Sequence, residues 1–371
     1  MPEYKLFSAD SHVSEPLDLW TTRLDQRFRD RAPHMEEREQ NGQLQEFWVF
    51  EGFEPHRLSV GVAAAAGEGK RLEFKARGTY AEARPGGWDP VERLKDQDMD
   101  GVDGEVLHTT LGFRLFWLED PELQRACFRV YNDWLAEYCR HSPERLVGLA
   151  LVSLTDVDLA VQELTRCARL GLKGAMIWNS PPDDRPYSSP EFDPFWSAAQ
   201  ELGMPLSLHS LTGHHESRTP LSSVFFIVAT YHEVERTLTD VIMSGVLERF
   251  PRLQFVSVES QAGWIPHFLN RMDRAARSGR SNYPTRLTLT PSEYFHRQVS
   301  ATYIDDPIAM HGLELIGAEN LLWSSDYPHN ASTWPHSQEV VDRDFAAFSP
   351  EVRRKVVRDN VMSLYHLDGA R

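Results

Sequence analysis

Leu146-Val147-Gly148-Leu149-Ala150-Leu151-Val152-Ser153-Leu154 is followed by Asp156-Val157-Asp158-Leu159-Ala160-Val161-Gln162-Glu163-Leu164-Thr165-Arg166-Cys167-Ala168-Arg169-Leu170, by Gly171, and then by Lys173-Gly174-Ala175-Met176-Ile177-Trp178. The first run is apolar almost throughout, as a strand covered on both faces is. The second carries apolar residues at helical spacing up to a terminating glycine, and the third is a strand again. Strand, helix and strand in this order predict parallel pairing with the helix packed outside the sheet.

The same alternation extends outward in both directions. Toward the C-terminus it predicts a helix over Pro190–Leu202 ended by Gly203, a strand over Pro205–Leu211 and a helical region reaching Phe250. A strand over Leu253–Glu259 and a helix over Trp264–Arg277 follow, then a weaker strand over Gln298–Ile304 and a helical turn before Leu315. The last strand is Asn320–Ser325, with helices near Ser337–Phe348 and Pro350–Tyr365. Toward the N-terminus lie a helix over Pro121–His141 and a strand over Val102–Thr110. Before them a helix begins at Asp89-Pro90, an N-cap followed by a proline suited to the first turn. The first strand is Tyr4–Ser8. Eight such units in 371 residues predict one domain, a distorted (β/α)8 TIM barrel over 1–371. It is interrupted at about 21–88 by a polar, irregular insertion that suits a lid or an oligomer contact. An open doubly wound sheet would want a glycine-rich phosphate turn after the first strand; Asp10-Ser11-His12 stands there instead.

Composition narrows the function. The chain is 41% hydrophobic and 25% charged, with 39 basic and 55 acidic residues and a net charge of −16. That balance argues against nucleic acid or an acidic membrane as partner, but leaves small anionic substrates open, because a cation in a pocket outweighs distant surface charge. Cys127, Cys139 and Cys167 are odd in number and form no C-x-x-C pair, so a disulfide framework or thiolate zinc site is not expected. With neither a leader-like N-terminus nor an apolar run of membrane-spanning length, the expected location is the cytoplasm.

Successive side chains of a strand point to opposite faces, so Asp10 and His12 point the same way and can grip a divalent cation together. Taken alone, Asp-x-His is as readily a hydrogen-bonded pair finishing a strand. A barrel, however, gathers the C-terminal ends of all its strands at one mouth. Read in order, those ends carry Asp10 and His12, His108, Trp178-Asn179, His209, Glu259, and Asp326 with His329 just behind.

Four segments carry a resemblance: Asp10-Ser11-His12-Val13-Ser14-Glu15-Pro16, His209, Val258-Glu259-Ser260-Gln261-Ala262-Gly263-Trp264-Ile265-Pro266, and Ser325-Asp326-Tyr327-Pro328-His329. Together they resemble the amidohydrolase-related branch of the amidohydrolase superfamily, which includes the aminocarboxymuconate semialdehyde decarboxylase-like proteins. The resemblance spans the chain apart from the stretch after Trp20. It implies one divalent metal ion, zinc ahead of manganese, held by His12, His209 and Asp326, with Asp10 as fourth ligand.

Two positions depart from that pattern. Several decarboxylases of the branch carry His or Glu where this chain has Asp10, and they commonly carry a catalytic histidine where it has Glu259. Glu259 is then a general base or substrate-orienting group, or else an ion-pair partner of a nearby Arg or Lys. His214, His215 or His329 could supply the imidazole, or be solvated. Arg114 and Arg218 sit where they could hold a substrate carboxylate, and Phe113, Phe116, Trp117 and Trp178 could wall a ring or belong to the core.

The favoured reaction is hydrolysis of a carbonyl-containing small molecule, with Asp326 taking a proton from metal-bound water and Glu259 or a loop histidine protonating the leaving group. Nonoxidative decarboxylation of a small aromatic or unsaturated acid is the alternative, and it needs a proton donor that a glutamate supplies only if its pKa is raised. A non-catalytic binding barrel is the reading from another class; the apparently intact ligand set speaks against it. A homodimer or higher homo-oligomer is compatible with all of these.

Overall fold

The apolar runs become parallel strands enclosed by helices. The computed structural model describes residues 4–40, 42–55, 79–213, 231–278 and 286–367. Its strands are β1 (Leu6–His12), β2 (His34–Gln40), β3 (Gln43–Val49), β4 (Val102–His108), β5 (Leu146–Leu151), β6 (Gly174–Ile177), β7 (Leu206–His209), β8 (Phe255–Val258), β9 (Val299–Tyr303) and β10 (Leu321–Trp323). All but β2 and β3 form one eight-stranded sheet in the order β1-β4-β5-β6-β7-β8-β9-β10, each pairing parallel with the next.

The seam between the first and last strands closes just past the end of β10. There Asp326 N donates to Asp10 O at 2.9 Å and His12 N to Tyr327 O at 2.6 Å. Below them Ser325 N donates to Ser8 Oγ at 2.9 Å, and the Ser11 and Ser325 hydroxyls lie 3.0 Å apart. Closure therefore brings the Asp10-Ser11-His12 and Ser325-Asp326-Tyr327 segments together, although they are far apart in the sequence.

Local chemistry sets most helix ends as expected. Asp89 accepts from Val91 N and Glu92 N at the head of the helix Pro90–Asp100. Asp156 caps Val157–Leu170, and Gly171 ends that helix at φ +96°, a conformation that costs other residues a side-chain clash.

Four elements differ from the sequence-based expectation. β1 runs on through His12, so Asp10 and His12 lie within the strand. The insertion holds an antiparallel hairpin, β2–β3, paired from His34 with Val49 to Gln40 with Gln43. β2 is too polar to show alternation and the apolar residues of β3 cluster at Phe47-Trp48-Val49, so the available signal was the hairpin dipeptide Asn41-Gly42. A helix over Pro291–Gln298 precedes β9, opened by a Thr290/Glu293 capping box. The last helix is divided into Pro350–Arg354, a π-turn over Lys355–Asp359 and Asn360–Leu364.

The hairpin is anchored through Trp48, which is fully buried 5.3 Å from the Trp20 ring. Phe53, just beyond it, lies 5.8 Å from Trp117 in the loop after β4, so this part of the insertion packs beside the barrel mouth. No helix among the described residues is long and apolar enough to cross a membrane.

One buried acid makes a stability prediction. Asp100 accepts from Ser337 N at 2.9 Å and from the Ser337 hydroxyl, and burial pushes its carboxyl up to about 6. A folded value above the unfolded one favours the protonated form, so this group's stabilisation is full below about pH 4 and is lost as pH rises to about 6. Asp100→Asn should therefore raise the melting temperature at pH 7.5, by a margin equivalent to up to about 3 kcal/mol, and much less at pH 4.5. Thermal denaturation at the two pH values checks it; an equal effect at both would show that Asp100 is charged in the fold.

Candidate metal centre and active site

Asp10 and His12, on one face of β1, point into the mouth with His209 from the end of β7. His12 Nε2 lies 3.4 Å from Asp10 Oδ1 and 3.3 Å from Asp326 Oδ1, and His209 Nε2 lies 3.6 Å from Asp10 Oδ1. Glu259, directly after β8, brings Oε2 to 3.4 Å from His209 Nε2. Asp10, His12, His209 and Glu259 each offer one ligand atom within 4.8 Å of the others, and His12, Asp326 and His329 form an overlapping group.

The tautomers suit a cation. His12 Nδ1 is 2.7 Å from Thr109 O and His209 Nδ1 is 2.7 Å from Ser210 O. A carbonyl can only accept, so both Nδ1 atoms carry hydrogen, and in the neutral ring each Nε2 presents a lone pair to the cluster. His12 Nε2, His209 Nε2, both Asp10 oxygens, Asp326 Oδ1 and Glu259 Oε2 are buried and make no hydrogen bond. Buried polar atoms are normally satisfied, and so many orphans converging on one point fit a divalent cation with two nitrogen and several oxygen donors.

The electrostatics agree. Burial disfavours the His12 imidazolium, yet the Asp10 and Asp326 carboxylates outweigh it and push its pKa well above the usual value. These carboxylates call for positive charge at Nε2. Burial also opposes ionisation of Asp10 and Asp326, but the histidines around them hold both below the ordinary carboxylate range. Glu259 goes the other way. About a quarter of its side chain reaches the mouth, but the surrounding protein removes most of its hydration and pushes its carboxyl up to about 7, against a lowering contribution from His209.

Backbone strain accompanies this arrangement. Leu211, Glu259 and Asp326 have φ of +73°, +52° and +57°, a region costing non-glycine residues roughly 1–3 kcal/mol each. At Glu259 the neighbouring strand supports the conformation, with Thr302 Oγ1 accepting from Glu259 N at 3.1 Å. At Asp326 the seam bond to Asp10 O does so.

The other residues singled out from sequence fall into three groups. His329 joins the centre: its ring stacks on His12 at 3.9 Å, Nδ1 lies 3.0 Å from Asp326 Oδ1, and Nε2 lies 3.1 Å from Thr110 Oγ1. Phe113 also joins it, 4.6 Å from the His209 ring and 5.6 Å from that of His12. Arg114 stacks over Trp117 at 4.2 Å, Phe116 packs on Phe128, and Trp178 is buried after β6, its carbonyl accepting from the Tyr187 hydroxyl. His214, His215 and Arg218 lie outside the described residues.

Three further residues carry weight that the sequence reading did not give them. His108, at the end of β4, has Nδ1 3.1 Å from Asp10 Oδ1 and Nε2 hydrogen-bonded with Ser207 Oγ at 3.2 Å, and burial pushes its pKa down to about 4, so the ring is neutral. Its strand-end position placed it at the mouth in the sequence, without a role. Arg93 is fully buried outside the seam, donating to His12 O at 2.7 Å and paired with Glu105. Glu15 lies buried beneath the loop after β4.

Known proteins give this geometry a context. A γ-resorcylate decarboxylase from Rhizobium sp. (strain MTP-10005) is 28% identical over 296 residues, covering 75% of this chain and 87% of that protein. The crystal structure of an amidohydrolase from Mycobacterium avium subsp. paratuberculosis shares the fold with a TM-score of 0.80 at 22% identity, covering 98% of this chain and all of that one. A 5-carboxyvanillate decarboxylase from Novosphingobium aromaticivorans, solved with manganese and 4-hydroxy-3-methoxy-5-nitrobenzoic acid, superposes with a TM-score of 0.63 at 25% identity, over 74% of this chain and 79% of that one. Residues 12–367 match the sequence profile of the amidohydrolase family, and with the metal-ready barrel mouth in place the conclusion is direct: this chain belongs to the amidohydrolase family.

Proposed function

We propose that this protein is a metal-dependent nonoxidative decarboxylase of a hydroxylated benzoic acid, with Asp10, His12, His209 and Asp326 holding one divalent cation and Glu259 serving as the proton donor. The reading is carried by the cluster of orphaned donor atoms at the barrel mouth, with the Glu259 carboxyl against it, in a chain whose relatives over three quarters of its length include decarboxylases. Hydrolysis, favoured from the sequence, keeps only the support that membership of the family gives it. Zinc, expected first, has no specific support; manganese is the cation proposed, because the decarboxylase solved with an aromatic acid carries it and the mixed nitrogen and oxygen donors suit it.

When bound, a divalent cation supplies Lewis acidity and positive charge for the substrate's oxygens. The chain's own groups do the rest. Phe113 lies beside the imidazoles of His12 and His209, where it offers an apolar face to a planar ring. Cleavage of the bond to the carboxylate releases carbon dioxide and leaves the electron pair on the ring carbon. Glu259 then passes its proton to that carbon and recovers one from water. A histidine is not required for this step where burial keeps the Glu259 carboxyl protonated, the direction in which it acts in the metal-free site. His329, stacked on His12, hydrogen-bonded to Thr110 and set beside Asp326, orients the centre.

Incubation with Mn2+ and a panel of hydroxylated benzoic acids in heavy water tests the reaction class. Carbon dioxide release with deuterium at the vacated carbon is the expected result. Label from ¹⁸O-water in a product carboxylate would instead establish hydrolysis.

A further inference from the structure

We infer that Glu15 is a positioning residue of this site, holding the loop after β4 so that it both orients the His12 ligand and presents Phe113. The inference rests on the metal-centre reading above. The Glu15 side chain is fully buried, and its charge is met by one short segment of chain. Oε2 accepts from Leu111 N at 2.8 Å; Oε1 accepts from Gly112 N at 3.2 Å, from Thr110 N at 3.3 Å and from the Thr109 hydroxyl. Consecutive amides converging on an anion form a nest, normally a place for a bound anion; here the chain supplies the anion itself.

The segment so gripped leads in two directions. Upstream, the Thr109 carbonyl is the acceptor for His12 Nδ1 at 2.7 Å, and this bond directs Nε2 into the cluster. The Thr109 side chain reinforces the turn, accepting from Gly112 N at 2.8 Å while its hydroxyl donates to Glu15. Downstream, the 3-10 turn Leu111–Trp117 begins at the gripped amides and carries Phe113 to the His12 and His209 rings. Nothing else in the loop supplies a charge to the Leu111 and Gly112 amides, and a neutral side chain could not meet all four donors. Outer partners that fix a ligating histidine typically govern metal affinity by 10–100-fold, so Glu15 acts on the centre without touching it.

The test uses the full-length protein and Mn2+ as probe, read by calorimetric titration and by hydrogen exchange of the amides at 110–112. Glu15→Gln offers one acceptor oxygen where the carboxylate offers two, and sets an NH2 group against amide hydrogens. It is expected to weaken Mn2+ binding by about 10–100-fold and to speed exchange at 110–112 beyond any change in the rest of the barrel. Thr109→Val, which removes the hydroxyl between Glu15 and Gly112, should weaken binding in the same direction, and Thr109→Ser should restore it. If Glu15→Gln does not fold, the Thr109 pair carries the test alone. Mn2+ binding at the unsubstituted affinity in every folded variant, even with a lowered melting temperature, overturns the assignment and leaves the metal centre intact. Failure of the unsubstituted protein to bind Mn2+ overturns the metal-centre reading, and this inference with it.

Discussion

Replacing Asp326 with asparagine is expected to lower Mn2+ affinity by more than about 100-fold, the upper end of what an outer-sphere change costs, and to reduce turnover by at least about 10³-fold. The substitution is nearly isosteric, so it isolates charge from shape. Asp326 Oδ1 is buried and makes no hydrogen bond, with His12 Nε2 at 3.3 Å and His329 Nδ1 at 3.0 Å beside it, a setting that suits a cation ligand. The metal-free variant should melt somewhat lower than the metal-free parent at neutral pH, because the histidines around Asp326 favour its charged form in the fold. Stabilisation by added Mn2+ should shrink, because a ligand stabilises only in proportion to its affinity for the folded state. Elemental analysis and thermal denaturation with and without Mn2+ report both effects. Full metal content with unchanged turnover would make Asp326 a structural acid of the seam.

Glu259→Gln is expected to separate chemistry from binding. If Glu259 hands its proton to the substrate carbon, kcat should fall by about 10²–10⁴-fold, while KM and Mn2+ affinity stay within a few-fold of the parent. Glutamine preserves the volume and the backbone bond to Thr302 at 3.1 Å but cannot act as the acid. Glu259 also lies within ligand distance of Asp10, His12 and His209, which gives the measurement a second informative outcome. A loss of Mn2+ affinity as large as the loss of kcat would make it a metal ligand, and normal turnover would exclude it from both roles.

Much of the architecture was legible because it is written in local periodicity. The apolar runs at Leu146–Leu151 and Phe255–Val258, the capping Asp89 before Pro90 and the terminating Gly171 act through nearest neighbours along the chain. The hairpin β2–β3 was not legible in the same way. Met35-Glu36-Glu37-Arg38-Glu39 shows no apolar alternation, and its stability comes from elsewhere, through Trp48 buried against Trp20. The insertion also carries aromatic rings to the loop after β4, a contact that no spacing in the sequence announces.

The sequence by itself determined the barrel and the side chains available at its mouth: alternation sets Asp10 and His12 on one face of β1, and barrel geometry sets His209, Glu259 and Asp326 at the same end. The tertiary structure alone decided what surrounds them. Glu15 meets its partners some 95 residues away, Arg93 reaches His12 O across 81 residues, and Asp326 N meets Asp10 O only because the seam closes. Burial in the folded mouth also decides the chemical state of the site. The residue type glutamate implies an acid ionised at neutral pH, whereas the buried Glu259 carboxyl is held near 7. The reason is physical: strand and helix preferences depend on neighbours in the chain, whereas hydration and charge around a buried group depend on what folding brings against it.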